Sequence, residues 1–149
     1  MSIEVCFARR EDIPSVLAIE LASFSDPWSE FSFQYALDNG DMDFLVLREG
    51  EEVLGFLLLQ ELGEEAEIDN VAVRSDYRGM GLGGKLLDAM LALCGKKGIH
   101  TVYLDVREGN EPAKRLYASR GFVPVGVRKR YYRDPVEDAI LMNWEKEGN

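Results

Sequence analysis

Residues 71–87 read Val-Ala-Val-Arg-Ser-Asp-Tyr-Arg-Gly-Met-Gly-Leu-Gly-Gly-Lys-Leu-Leu, and no other stretch restricts the fold as much. A β-branched run ends at Val73 and a charged turn follows. Gly79, Gly81, Gly83 and Gly84 then lead into an apolar pattern of helical period. Four glycines entering a helix are locally destabilising and need a compensating reason. Strand, glycine turn and helix together present free backbone N–H groups at the positive end of a helix. That is a site for phosphate. Without Cβ atoms, the loop can approach a phosphate closely and adopt left-handed dihedrals.

Two fingerprints overlap here. Gly79, Gly81 and Gly84 satisfy G-x-G-x-x-G, and Asp105 lies 21 residues past Gly84, where a dinucleotide fold places its ribose-binding acid. Three features oppose that reading. Arg74–Arg78 separates strand from glycines, the motif falls at mid-chain, and only 65 residues follow Gly84. That is too few for a second mononucleotide half and a substrate domain. The same residues also read Arg78-x-x-Gly81-x-Gly83.

At 149 residues the chain is sized for one domain, 1–149. Net charge is −10, from 17 basic and 27 acidic side chains, which argues against nonspecific nucleic-acid binding and permits a basic partner. No apolar run approaches the roughly 18 residues of a membrane span, so no membrane contact is expected. The first residues lack the basic segment and apolar core of a signal peptide. Cys6 and Cys94 are expected to be buried free thiols, in keeping with a cytoplasmic setting. A monomer without metal is expected.

Residues 3–8 read as a strand. Glu11-Asp12-Ile13-Pro14 opens a helix that runs to about residue 24. Ser29 caps a second helix to about Asp38. Phe44–Arg48 and Val53–Glu61 are strands joined by a turn at Gly50, and Glu65–Val73 is another. After the loop, Leu82, Leu86, Leu87, Met90, Leu91 and Cys94 share a helix face, with Gly95 and Gly98 at its end. His100–Arg107 puts Val102, Leu104 and Val106 on one face and Tyr103, Asp105 and Arg107 on the other. Asn110–Arg120 is a short helix stopped by Gly121. Phe122–Arg133 and Val136–Trp144 close the chain as strands. The order β-α-α-β-β-β-α-β-α-β-β predicts an α/β fold. Its mixed central sheet is flanked by helices, with a right-handed crossover around the glycine loop.

Arg78-x-x-Gly81-x-Gly83 resembles the pyrophosphate loop R/Q-x-x-G-x-G/A of the GNAT acetyltransferase superfamily, and the order of elements resembles that fold along the whole chain. Four segments resemble the ribosomal-protein-alanine N-acetyltransferase (RimI) subfamily more narrowly. They are Phe24-Ser-Asp-Pro-Trp28-Ser29, Asp69-Asn-Val-Ala-Val73, Leu104-Asp-Val-Arg-Glu-Gly-Asn110 with Leu116-Tyr117 and Gly121-Phe122, and Arg130-Tyr131-Tyr132 with Glu137–Met142. The subfamily carries a catalytic glutamate where this chain has Asp105, one methylene shorter, or roughly 1.5 Å of reach.

The resemblance implies an enzyme that moves acetyl from acetyl-CoA to a protein N-terminal amine. The implied acceptor is the N-terminal alanine of a basic small-subunit ribosomal protein. Direct attack in a ternary complex is expected, because neither cysteine lies in a nucleophile motif. Arg78, Gly79 and the backbone amides of Met80, Gly81, Leu82, Gly83, Gly84 and Lys85 would hold the diphosphate. The backbone of Val71, Ala72 and Val73 would pair with the pantetheine and polarise the thioester. Asn110 would cap its helix and bond the coenzyme.

An α-amine has a pKa near 8, so a carboxylate must take its proton. Asp105 is the candidate, against the plainer role of a strand-end cap, with Glu67 in reserve. Tyr117 is the expected proton donor to the thiolate, against plain packing on Phe122. Trp28, Tyr131 and Tyr132 are the expected acceptor walls. Glu20, Asp26 or Glu67 could meet a basic acceptor residue. Two rivals stay open: a GNAT enzyme acting on small amines or lysine side chains, and an acyl-CoA-binding module without chemistry.

Overall fold

A computed structural model describes residues 2–147. The chain runs β1 (Ile3–Phe7), α1 (Ile13–Ser23), α2 (Glu30–Asp38), β2 (Met42–Glu49), β3 (Glu52–Leu62), β4 (Glu65–Val73), α3 (Leu82–Lys97), β5 (Thr101–Arg107), α4 (Glu111–Ser119), β6 (Val123–Tyr132) and β7 (Glu137–Glu145). This is the order expected from sequence. The local signals act as read: the Ser29 hydroxyl accepts the Ser32 N–H at 3.2 Å, and Gly98 ends α3 at φ +74°.

Most boundaries shift by one or two residues, and the start of the first helix shows a cause. Glu11 and Asp12 belong to a 3-10 turn, Arg10–Asp12, and α1 begins at Ile13. Asp12 explains the difference. Its carboxylate accepts the Arg9 N–H at 2.8 Å and both Arg48 nitrogens, at 2.8 and 2.5 Å. Burial raises that carboxyl, but the Arg48 and Arg9 bonds outweigh it and hold it below its usual range.

The strands form one sheet in the order β1-β2-β3-β4-β5-β7-β6. Every neighbouring pair is antiparallel except β4 and β5, which bracket α3. Helices cover both faces, so β3 is apolar without a break from Val53 to Leu59. Its Leu57 and Leu59 join Leu86, Met90 and Tyr117 in the α3/α4 core. Its Phe56 and Leu58 join Val16, Ile19 and Phe33 in the α1/α2 core.

Two irregularities open the middle of the sheet. In β4, Ile68 pairs with Leu59 and Asn70 with Leu58, so Asp69 is an extra residue without a partner on β3. This bulge reverses the strand's alternation. Ala66 and Ile68 face the α3/α4 core before it, and Val71 and Val73 face that core after it. The β4–β5 ladder also stops at Glu67–Tyr103, while β5 stays paired to β7 through Arg107. Beyond that point β4 and β5 diverge, and a slot opens between Ile68–Val73 and Leu104–Arg107.

Candidate active site

The glycine loop lies at the end of β4, at one mouth of this slot. Gly79 and Gly81 have φ of +80° and +76°, and Gly81 is the residue from which α3 springs. Left-handed backbone at both turns the chain so that the first N–H groups of α3 stand free at its positive end.

Gly83 and Gly84 serve a different purpose. They are helical, and a Cβ on Gly83 would lie 2.9 Å from the Leu116 side chain, while one on Gly84 would strike the Arg120 guanidinium. Both let α4 approach α3 closely. The Lys85 amide bonds the Gly81 carbonyl at 3.2 Å, so it is not free for phosphate as the sequence reading had it; the free row ends at Gly84.

The cationic side chains of Arg78 and Lys85 are engaged elsewhere. Lys85 Nζ donates to the Ile3 carbonyl on β1 at 2.6 Å. Arg78 donates to the Val73 carbonyl at 3.2 Å and to the Ser23 hydroxyl at 3.4 Å, tying the loop to α1.

The α1/α2 side of the slot is acidic. Val102, Leu104 and Val106 are buried against α3 and α4, which turns Tyr103, Asp105 and Arg107 to the other face, as the alternation predicts. Glu67 shares that face, because its neighbours Ala66 and Ile68 point the opposite way.

Burial raises the Asp105 carboxyl above its usual value. The Arg128 charge opposes this, Glu67 adds to it, and a bond from Tyr131 lowers it. Asp69 is pushed up to about 7, first by burial and then by its neighbour Glu67. Desolvation and a like charge act in the same direction on a carboxyl.

Tyr117 packs its ring on Phe122, centroids 5.9 Å apart, and is 7% exposed. Burial, with a smaller contribution from Tyr132, pushes its phenol well above the ordinary value. The hydroxyl therefore keeps its proton throughout the neutral range, as a proton donor requires. Asn110 caps α4 as read, its Oδ1 accepting the Ala113 N–H at 3.2 Å.

Acceptor-side residues meet through Arg107 and Glu20. Arg107 donates to the carbonyls of Arg133 at 2.7 Å and Pro135 at 3.0 Å, to Ser25 at 3.2 Å and to Glu137 at 3.1 Å. It also lies 4.5 Å from the Tyr132 ring centre, and Tyr132 meets Tyr131 edge-on at 5.1 Å. One side chain thus joins the α1–α2 loop to the β6–β7 turn over the slot.

Trp28 is half-buried with its ring 5.5 Å from Phe33, so it supports the core as much as any groove. Glu20 is 1% exposed and bonded to Trp28 and Asn70, which removes it as a contact for a basic acceptor residue. Asp69 and Arg107 are the two residues whose part the sequence reading missed. The alternation Glu65-x-Glu67-x-Asp69 was the available signal for Asp69, since charged side chains are uncommon inside strands.

The acetyltransferase (GNAT) family model matches residues 13–122. The ribosomal protein bS18-alanine N-acetyltransferase of Escherichia coli K12 is 35% identical over 133 residues, covering 88% of this chain and 89% of that one. The crystal structure of the ribosomal-protein-S18-alanine N-acetyltransferase from Escherichia coli superposes with a TM-score of 0.90 at 31% identity, over 99% of this chain and 97% of the other. Ard1 from Thermoplasma volcanium superposes with a TM-score of 0.91 at 28% identity, over 99% and 100%.

Proposed function

This chain belongs to the GNAT acetyltransferase family, and from that footing we propose that it acetylates the N-terminal alanine of a small-subunit ribosomal protein. It is an N-acetyltransferase that draws its acetyl group from acetyl-CoA. One observation carries the reading of the site. β4 and β5 separate beyond Glu67 and Tyr103, with free helix amides at one mouth and carboxyls with aromatic side chains on the other face.

The amides from Gly81 to Gly84 would hold the diphosphate. The unpaired edge of Val71–Val73 would take the pantetheine amides as a neighbouring strand does, and an N–H there would polarise the thioester carbonyl. Trp28, Tyr131 and Tyr132 would border the acceptor chain. The acceptor amine arrives mostly protonated. Asp105, or Glu67 across the slot, would remove that proton directly or through water.

Tyr117 would protonate the departing sulfur. Transfer would be direct. Cys94 is fully buried in the α3/α4 core, and Cys6 lies on β1 at the far edge of the sheet. Neither can act as an acyl carrier in the slot.

Coenzyme release from acetyl-CoA, followed with an Ala-Arg peptide, a polyamine and an N-terminally blocked lysine peptide, tests the acceptor. The reading expects the Ala-Arg peptide to lead by at least about tenfold in kcat/KM. Preference for the polyamine or the lysine would overturn it.

A further inference from the structure

We propose that Asp69 takes part directly in proton removal: the bulge in β4 sets its carboxyl beside that of Glu67, so that the two act as one proton acceptor for the acceptor's amine. This rests on the acetyltransferase reading and names which carboxyl of the acidic face takes the proton.

The geometry starts from the bulge. In a regular strand Glu67 and Asp69 would sit two residues apart on one face, each opposite its own β3 partner. Here Asp69 has no partner on β3 and follows Glu67 on the acidic side of β4, where Glu67 raises its carboxyl. Two neighbouring carboxylates repel each other unless one takes up a proton, so the pair favours carrying one proton.

The charged and titratable groups on this face are Glu65 of β4, Tyr103, Asp105 and Arg107 of β5, Arg128, Tyr131 and Tyr132 of β6, and Glu20 of α1, with Tyr103 engaged by Glu65. Arg107 is committed to Glu137 and the carbonyls of Arg133 and Pro135. Arg128 acts on Asp105 and lies 5.4 Å from the Tyr131 ring centre. Glu20 is tied to Trp28 and Asn70. Burial and Glu67 alone act on Asp69, with no compensating cation. The positive charge this pair fits is an incoming ammonium group.

Matched basicity supports the assignment. An ordinary aspartate is a base roughly ten thousand times weaker than an α-amine. A carboxyl raised to about 7 is roughly ten times weaker. In the step, an N–H bond of the ammonium breaks and its proton joins the Glu67–Asp69 pair. The electron pair stays on nitrogen and forms the C–N bond to the thioester carbon, the C–S bond then breaks, and the sulfur leaves with its bonding pair and takes the Tyr117 proton. The stored proton leaves to water on the acceptor face.

The test is the pH dependence of kcat at saturating acetyl-CoA and Ala-Arg peptide for wild type, D69N, D69E and E67Q, beside a carbon-13 carboxyl titration of the wild type without substrates. The wild type should lose kcat on the acid side with a midpoint near 7. D69N and E67Q should each move that midpoint down by about one unit or more and lower the plateau about tenfold, with both KM values within about twofold of wild type. D69E should restore the wild-type profile, which a purely structural role for Asp69 would not produce.

A D69N profile that superimposes on wild type overturns the proposal, as does a midpoint that moves in D105N but not in D69N. Wild-type protein that turns over no amine would sink the acetyltransferase reading instead. The carboxyl titration then judges the pair alone: an Asp69 transition near 7 supports it, and one at the ordinary carboxyl value overturns it.

Discussion

The side-chain amide of Asn70 on β4 donates to both carboxylate oxygens of Glu20 on α1, at 2.8 Å each. The same carboxylate accepts the Trp28 backbone N–H at 2.8 Å. Burial raises the Glu20 carboxyl above its usual value, against the opposing pull of these two donors. One buried carboxylate thereby fixes both the strand residue after the bulge and the end of the acceptor-side loop.

Asn70→Ala leaves that carboxylate buried with its backbone donor only. The expected cost is about 1–3 kcal/mol of stability. Acceptor KM should rise as the Trp28 loop loosens, while KM for acetyl-CoA stays put. Thermal unfolding and paired titrations of the two substrates check both halves.

Tyr117→Phe keeps the ring packed on Phe122 and removes only the hydroxyl. Loss of a general acid lowers kcat by about a hundredfold, with KM for acetyl-CoA unchanged and Tm little altered. A variant as fast as wild type would reduce Tyr117 to a packing residue.

The loop glycines should separate by function. At Gly81 an added Cβ meets nothing within 4 Å, but φ is +76°, so Gly81→Ala costs roughly 1–2 kcal/mol through backbone strain alone. Gly84→Ala displaces the Arg120 guanidinium from its pairing with Asp88 at 3.1 Å. An exposed pair of that kind contributes less than about 1 kcal/mol. The gain in helix propensity is about as large, so stability stays near wild type. Denaturant unfolding distinguishes the two, and calorimetry should find acetyl-CoA bound more weakly by Gly81→Ala.

Asp43 gives the fold a pH dependence away from the site. Its Oδ1 accepts Lys97 Nζ at 3.0 Å, and its Oδ2 has no partner. Burial first, then Glu61, push its carboxyl up to about 6, against the pull of Lys97. The folded-state value lies above the unfolded one, so Asp43's contribution is fully present below about pH 4 and is lost as pH rises through about 6. Asp43→Asn should therefore gain in Tm relative to wild type between those two values. A relative loss over the same interval would mean that the Lys97 bridge outweighs the burial cost.

Element order, the caps at Ser29 and Asn110, and the two faces of β5 were legible because each depends on residues near in sequence. The bulge was not, since an extra residue in β4 exists only relative to its partners on β3. Continuous alternation through Glu65, Glu67 and Asp69 predicts an unbroken strand, yet Asn70 turns to Glu20 and Val71 to the α3/α4 core. Long-range tethering hid the rest. The Lys85 ammonium reaches Ile3, and Arg107 gathers Ser25, Arg133 and Pro135, contacts spanning 82, 82, 26 and 28 residues that no local pattern encodes. Gly83 and Gly84 look like loop glycines in sequence and prove also to be packing glycines, because α4 presses on them.

The most direct measurement is fragment mass spectrometry of an Ala-Arg peptide that also carries an internal lysine, after incubation with the protein and acetyl-CoA. The account predicts a single acetyl group on the alanine nitrogen and none on the lysine. Acetyl on the lysine side chain, or on neither amine while the coenzyme is bound, would contradict it.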